Sequence, residues 1–467
     1  MVMYSTDFDF ELNDFPLNLW GVDVWFIRAL SEFQIMVVTS WENLATRVVF
    51  AMSMISNMNS LKQILSCMNW KVKASISKRP QLCSVHPFSP TKAKENVGGN
   101  LVRLQTVVTA ESKLARVVFF VWGAVILTLH LYAESIHGLS VCIVQVKPWL
   151  SSQPSCSMVV LDCYKGGFGG TFHEVNTQWK ELDPTVPVAI TVCHCNNLEM
   201  PSILQKFSAL KMLKFYNTTI TNWNESASLT QVHHPNLMML YMSRVNMTGG
   251  QLPVALQGEN LPKKIIDIEF CVTNLRTLPD DFDQKWPQYA SIYFEAGNFT
   301  EVPASLIRLA PYDLSLAFNP IPSIPAVLFE STIEFLNIGG TLISELPKSV
   351  RDSSSLEQLR VYDTNISFFW DWIDPILENA GSVLSDIPTT IVASRNPFCL
   401  DLQRIYIGEQ TSFSVQYRKG YSELLSNASV ENWETLRRAV SCGECSALYY
   451  TLEMDDMQYG VQATLEP

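Results

Sequence analysis

The sequence predicts an α/β-type repeat solenoid, a horseshoe with a parallel β-sheet on its concave side, preceded by one transmembrane helix. Three observations predict it. An apolar pattern recurs about every two dozen residues between 186 and 370. A proline returns at one phase of that pattern, and an uncharged apolar run at 117–133 follows a dense block of bases.

The repeat is anchored by Ile190, Leu213, Leu240, Ile268, Ile292, Leu314, Leu336 and Leu359, at gaps of 23, 27, 28, 24, 22, 22 and 23 residues. Two positions after each stands a second apolar residue: Val192, Phe215, Met242, Phe270, Phe294, Leu316, Ile338 and Val361. A third follows in the best copies (Leu275, Phe299, Ile321, Ile343, Ile366), and then an apolar–proline pair: Leu278-Pro279, Val302-Pro303, Ile324-Pro325, Leu346-Pro347. Each apolar pair reads as a short strand whose alternate side chains point inward. The proline ends the extended run, because it cannot donate to a ladder. One such unit cannot bury its apolar edge alone, whereas stacked units bury it continuously.

A net charge of −12 hides an asymmetry. Residues 1–60 carry seven acids and two bases, residues 61–116 carry ten bases and two acids, and the remainder stands at −15. An acidic body argues against a nucleic-acid partner, which needs concentrated basic charge. The basic block instead flanks Val117 to Ala133, seventeen uncharged residues that as a helix reach about 25 Å, the short end of a bilayer span. Length alone suits a buried core helix equally. The ten bases on its amino side favour a single-pass signal anchor, with the amino terminus cytoplasmic and the repeats extracellular at the plasma membrane. A cleaved signal peptide fits less well, since the run begins more than a hundred residues into the chain. Residues 1–116 then form an irregular, partly helical cytoplasmic region whose basic block holds anionic lipid.

Glycosylation signals occur at Asn217, Asn224, Asn246, Asn298, Asn365 and Asn427, all after the apolar run. Nine of the eleven cysteines also follow it. Cys156 and Cys163 precede the repeats, while Cys399, Cys442 and Cys445 follow them, as disulfide-stapled end caps would. The expected pairs are Cys156 with Cys163, and Cys399 with Cys442 or Cys445. Cys195 is expected to be a free buried thiol.

Other motifs carry less. Cys442-Gly-Glu-Cys445 has the spacing of a redox dithiol but no preceding βαβ unit. The glycine-rich Lys165–Phe172 stretch lacks a phosphate-loop register and reads as a flexible loop of the amino-terminal cap. Cys193-His194-Cys195 and His233-His234 are adjacent residues, which on a strand point to opposite faces, and neither has zinc spacing. No metal, cofactor or catalytic set is expected.

The template LxxLxLxxNxLxxLP identifies residues 186–398 as resembling the leucine-rich-repeat superfamily. At its asparagine position stand Cys195, Thr218, Val245, Thr273, Gly297, Asn319, Thr341 and Thr364, so a ladder satisfying the loop backbone must rely mostly on threonine hydroxyls. The segments His234–Tyr241, Asn274–Asp281, Asn365–Pro375 and Asn396–Cys399 look more narrowly like the membrane-anchored leucine-rich-repeat proteins of oomycetes. The expected organisation is a cap at 134–185, repeats at 186–398 with Ile391 and Ala393 in a last, capping copy, and a carboxy-terminal cap with an acidic tail at 399–467. The resemblance implies recognition of a protein or glycan ligand, in a receptor-like or adhesive role without catalysis. Residues flanking the inward pairs would form the concave binding face: Tyr216, Tyr241, Glu269, Tyr293, Glu295, Asn337, Arg360 and Tyr362, with Gly339-Gly340 leaving a bare patch for a partner's backbone. The rivals are a cytosolic scaffold for protein–protein interaction and a CxxC oxidoreductase.

Overall fold

Strands recurring at the repeat period pair side by side in a computed structural model of the chain, which describes residues 22–36, 48, 54, 120–148, 151–380, 390–443 and 448–460. The chain divides into two compact units, Met1–Ile27 with Ala133–Pro467, and Arg28–Tyr132. Among the described residues thirteen strands of the first unit form one sheet. It opens with β1 (Cys142–Val146) antiparallel to β2 (Ser155–Asp162). From β2 onward the pairing is parallel. The ladder runs through β3 (Ala189–Cys193), β5 (Met212–Asn222), β6 (Met239–Met247), β7 (Asp267–Cys271) and β8 (Ser291–Glu295). It continues through β9 (Asp313–Ser315), β10 (Phe335–Asn337), β11 (Gln358–Arg360), β12 (Ile391–Val392) and β13 (Val440–Ser441). A two-residue strand, β4 (Leu198–Glu199), pairs with β5 at the side.

Register follows the repeat. Ile190, Leu213, Leu240, Ile268, Ile292, Leu314, Leu336 and Leu359 stand opposite one another on successive strands, and Ile391 continues the row. These residues and their partners two positions on are fully buried in one continuous core. Each is worth about 1.5–3 kcal/mol over an exposed position. The sheet also exceeds the expected repeats at both ends. Val159 and Leu161 of β2 pair with Ile190 and Val192, and β13 extends the ladder after β12. After the prolines the chain turns into short helices, Ala304–Leu309 behind Pro303 and Ala326–Phe329 behind Pro325.

Each coil leaves its strand through the same backbone device. The residue before the template asparagine position is left-handed in nine successive copies: His194, Asn217, Arg244, Val272, Ala296, Phe318, Gly340, Asp363 and Arg395, with φ between 46° and 67°. Only Gly340 adopts this region freely, so stacking holds the others there. The ladder behind the corner is mixed. Asn319 accepts from Phe299 N (3.1 Å) and donates to Phe294 O (2.7 Å) and Leu316 O (3.0 Å), joining two coils. Thr341 and Thr364 donate only to carbonyls three residues back in their own coil. At the Val245 copy a neighbouring residue substitutes, Asn274 exchanging two hydrogen bonds with the Met247 backbone.

Several expectations are corrected. Disulfides join Cys142 to Cys156, Cys163 to Cys195, and Cys399 to Cys442. Cys156 cannot reach Cys163, because seven positions along a strand separate their Cα atoms by about 23 Å, against the roughly 5.5 Å a disulfide needs. Cys195 is not a free thiol. Asp162 pairs with Cys193, so Cys163, one residue on, and Cys195, two residues on, leave adjacent strands side by side and close to a Cα separation of 5.0 Å. Cys445 lies outside the described residues, and Cys442 is committed to Cys399 rather than to a CxxC dithiol. The glycine-rich stretch is a bonded corner rather than a flexible loop. Glu174 accepts from Gly170 N and from the amide and hydroxyl of Thr171, and a Cβ at Gly170 (φ 98°) would stand 2.9 Å from the Cys195 Cβ.

The expected span at 117–133 forms a helix over 120–135, with residues 117–119 outside the described set. Among the described residues no helix is long and apolar enough to cross a membrane. The helix nonetheless exposes Phe120, Val121, Trp122, Val125, Leu127 and Leu131. The basic block at 61–116 also lies outside the described residues.

Candidate functional site

The strands place the side chains flanking each inward pair on the concave face, but those side chains are not open to solvent. Tyr216, Glu295, Asn337 and Tyr362 are buried, and Tyr241, Glu269, Tyr293 and Arg360 are half-buried. The expected exposed face is covered by the chain's own carboxy-terminal end. Tyr449, Tyr450 and the helix Leu452–Tyr459 lie across it, beside the start of the helix Asp23–Met36.

Glu295 begins the contact by accepting the backbone amides of Tyr449 (3.0 Å) and Tyr450 (3.1 Å). The Tyr449 ring packs edge-on to Tyr293 at 4.9 Å between centroids, with the Arg360 guanidinium 4.4 Å from its centre. Tyr450 meets Tyr241 and donates its hydroxyl to Asp455. Lys214 is buried and donates to Asp23 (2.7 Å) and Asp455 (2.9 Å). Arg244 grips Asp456 through Nε (2.8 Å) and Nη2 (2.7 Å), and Tyr216 donates to the same carboxylate (2.7 Å). Tyr459 packs on Tyr216 and donates to Asp23, whose own amide donates to Gln458 Oε1.

Electrostatics follow from this burial. The Glu269 carboxyl is pushed well above its usual range by burial and by the charge of Asp267 beside it. Burial raises Asp267 and Glu295 as well. Arg244 and the Tyr216 hydroxyl hold Asp456 below the ordinary carboxylate range despite some desolvation. Asp455 is pushed up by burial, opposed by Lys214 and the Tyr450 hydroxyl. A cavity of about 260 Å³ remains between the sheet and this covering strap of residues 449–459, lined by Asp23, Lys214, Tyr241, Asp267, Glu269, Tyr449 and Tyr450. The surface is suited to gripping a peptide: directional donors and acceptors over aromatic walls, with a bidentate arginine at one side.

Six of the eight expected residues thus meet around the strap or its cavity: Tyr216, Tyr241, Glu269, Tyr293, Glu295 and Arg360. Asn337 and Tyr362 instead bond to each other (3.0 Å). The Tyr362 ring fills the bare patch expected at Gly339, where a Cβ would stand 2.4 Å from it. The corner residue Arg244 was not among the expected ones, because strand alternation says nothing of a left-handed residue. The six glycosylation asparagines are all exposed. Near the amino-terminal end, Asp162, Cys193 and His194 converge, since the left-handed His194 escapes the strand alternation that would part it from Cys193. His194 Nδ1 lies 3.1 Å from Asp162, and burial drives the Cys193 thiol far up, against the thiolate that metal binding needs.

Neither a protein-family model nor a curated protein matches the chain. Solved structures similar to it include a chain of the octameric complex of Latrophilin 3 (Lec, Olf), Unc5D (Ig, Ig2, TSP1) and FLRT2 (LRR). That match has 14% identity and a TM-score of 0.30 over 48% of this chain and 80% of the other. A chain of the mouse RP105/MD-1 complex is similar at 13% identity and a TM-score of 0.37, over 65% of this chain and 53% of that one. Likenesses this distant carry no argument, and the assignment rests on strand register and repeat period. The fold is a leucine-rich-repeat-like solenoid.

Proposed function

We propose that the chain is a non-catalytic recognition protein, anchored to a membrane, whose extracellular solenoid binds a protein partner on its concave face. The observation that carries this reading is that the face already holds a peptide segment by directed contacts, with Glu295 on two backbone amides and Arg244 on a carboxylate. A peptide occupant favours a protein over a glycan ligand. Three disulfides support maturation in an oxidising compartment. Six exposed glycosylation asparagines support the same topology. The exposed apolar side chains over 120–131 support membrane attachment through 117–133, with the basic block on anionic lipid. The narrower kinship with oomycete membrane-anchored proteins belongs to this proposal too.

The test is a photo-crosslinking amino acid at Tyr293, on the concave face, and at Tyr289, an exposed residue at a loop, in full-length chain on intact cells. Capture of a specific protein at position 293 and not at 289 is the expected result. Capture of nothing beyond the chain's own strap, both in this chain and in one whose strap is released by Asp455→Ala with Asp456→Ala, removes the recognition role. Endoglycosidase treatment and carbonate extraction check the topology, with unchanged mobility and full extraction pointing to a cytosolic scaffold.

A further inference from the structure

The contact between strap and sheet is built unlike the rest of the molecule. The solenoid is held by fully buried apolar side chains, whereas the only buried residue of the helix Leu452–Tyr459 is an aspartate, Asp455. The helix carries Glu453, Asp455 and Asp456 and no base. Its grip on the face is a buried lysine, a bidentate arginine, tyrosine hydroxyls, and a carboxylate on two backbone amides. The Arg244–Asp456 pair is more than a third exposed on both sides, so water and competing ions reach it. The contact is therefore mixed: Lys214, Asp455 and Tyr450 are buried, whereas the Arg244–Asp456 pair is open to water, so a competing carboxylate can enter there and begin the exchange.

We propose that the concave face is a receptor for an acidic segment of a partner protein bearing a Tyr-Tyr-x4-Asp-Asp pattern, and that the strap is its built-in competitor. The pattern is that of Tyr449, Tyr450, Asp455 and Asp456. Each element has a counterpart on the face. Glu295 reads the backbone at the tyrosine pair, while Tyr293, Arg360 and Tyr241 hold the rings. Lys214 takes the first aspartate and Arg244 the second. Six residues from the first tyrosine to the first aspartate fit a turn of extended chain followed by the opening of a helix, as the strap itself adopts. An acidic segment also suits the cations, since a basic one would leave Arg244 without its carboxylate and Lys214 with Asp23 alone. Binding of such a partner requires the strap to leave, so the two are mutually exclusive and the strap sets the threshold for engagement. This inference rests on the recognition reading above and narrows it to one class of partner.

The experiment uses the full-length chain and a variant in which only the strap is altered, Asp455→Ala with Asp456→Ala. The probe is a labelled synthetic peptide of residues 448–460, alongside a copy with both aspartates replaced by asparagine. Hydrogen exchange over 448–459 reports whether the strap has left. The variant is expected to lose protection there and to bind the probe at least about tenfold more tightly than the unaltered chain. Adding Arg244→Ala, at an exposed residue outside the core, is expected to remove most of that gain. The asparagine peptide is expected to bind about tenfold more weakly or not at all. A released strap with no peptide binding overturns the proposal, as does equal binding of the acidic and asparagine peptides. A strap that stays protected in the double variant overturns it too, because the acids would then not be what the face recognises. Capture of a partner at position 293 in the cell experiment, with no binding of this peptide, leaves recognition standing and discards the acidic-tyrosine class.

Discussion

Replacing Lys214 with methionine separates an ionic strap from an apolar one. The lysine side chain is 5% exposed and lies 2.7 Å from Asp23 and 2.9 Å from Asp455, whose side chains are 7% and 1% exposed. Methionine keeps the stem's volume but leaves two carboxylates facing each other without a cation. Removing one partner of a buried ion pair costs about 3–5 kcal/mol. Because Asp455 sits on the strap, that cost falls on the docked state and is relieved when the strap leaves. At about 1.4 kcal/mol per factor of ten, docking should weaken by roughly two to four orders of magnitude. Amide exchange measured by mass spectrometry over 448–459 should accelerate accordingly, while β7 to β9 keep their protection. Acidification should partly restore docking, because burial already raises the Asp455 carboxyl and loss of the lysine raises it further. Lys165→Met, at a side chain 78% exposed and paired only with Asp162 of its own corner, is the control. Unchanged exchange over 448–459 in a folded Lys214→Met chain would refute the ionic account of the strap.

Three further outcomes test the scaffold. His234 is fully buried, donates from Nε2 to Leu204 O (2.9 Å), and is pushed down by burial to about 4. A depressed histidine means that the unfolded chain takes up the proton first. Stability should therefore fall by about 3 kcal/mol as pH drops from 6.5 to 4, seen as a lower urea midpoint, with that slope absent in His234→Gln. Asn319→Ala should cost about 2–4 kcal/mol in chemical denaturation, because it strands the Phe299 amide and the Phe294 and Leu316 carbonyls in the core. Cys442→Ser opens a 43-residue loop and should lower stability by up to about 4 kcal/mol, with exchange rising first in the cap helix Trp433–Ala439.

The solenoid was legible because the residues that make it are repetitive. Leu213, Leu240 and Ile268 announce their neighbours through spacing alone, and strand pairing then joins them in that order. The ladder was less legible. Asn274 does the work expected of position 245, since any amide side chain near enough to the loop can satisfy it. Cys399 and Cys442 pair as expected, but at the amino-terminal cap nearness in sequence is not nearness in space: Cys156 and Cys163 stand at opposite ends of one extended run, while Cys163 and Cys195, 32 apart, follow the paired residues Asp162 and Cys193 by one and two positions. Even so, the six residues around strap and cavity were identifiable, because strand alternation decides which side chains reach the concave side.

Periodicity in the chain determined the inward rows, their register and the identity of the face, since those depend on local spacing and on apolar burial. Which groups occupy that face was decided only in three dimensions. Lys214 meets Asp23 and Asp455 across 191 and 241 residues, and a contact between single charges leaves no period for spacing to reveal. The helix Leu452–Tyr459 buries no apolar side chain to betray its docking. Its partners are chosen by electrostatic and hydrogen-bond complementarity, which exists only once the solenoid has placed Lys214, Arg244 and Glu295 on one surface.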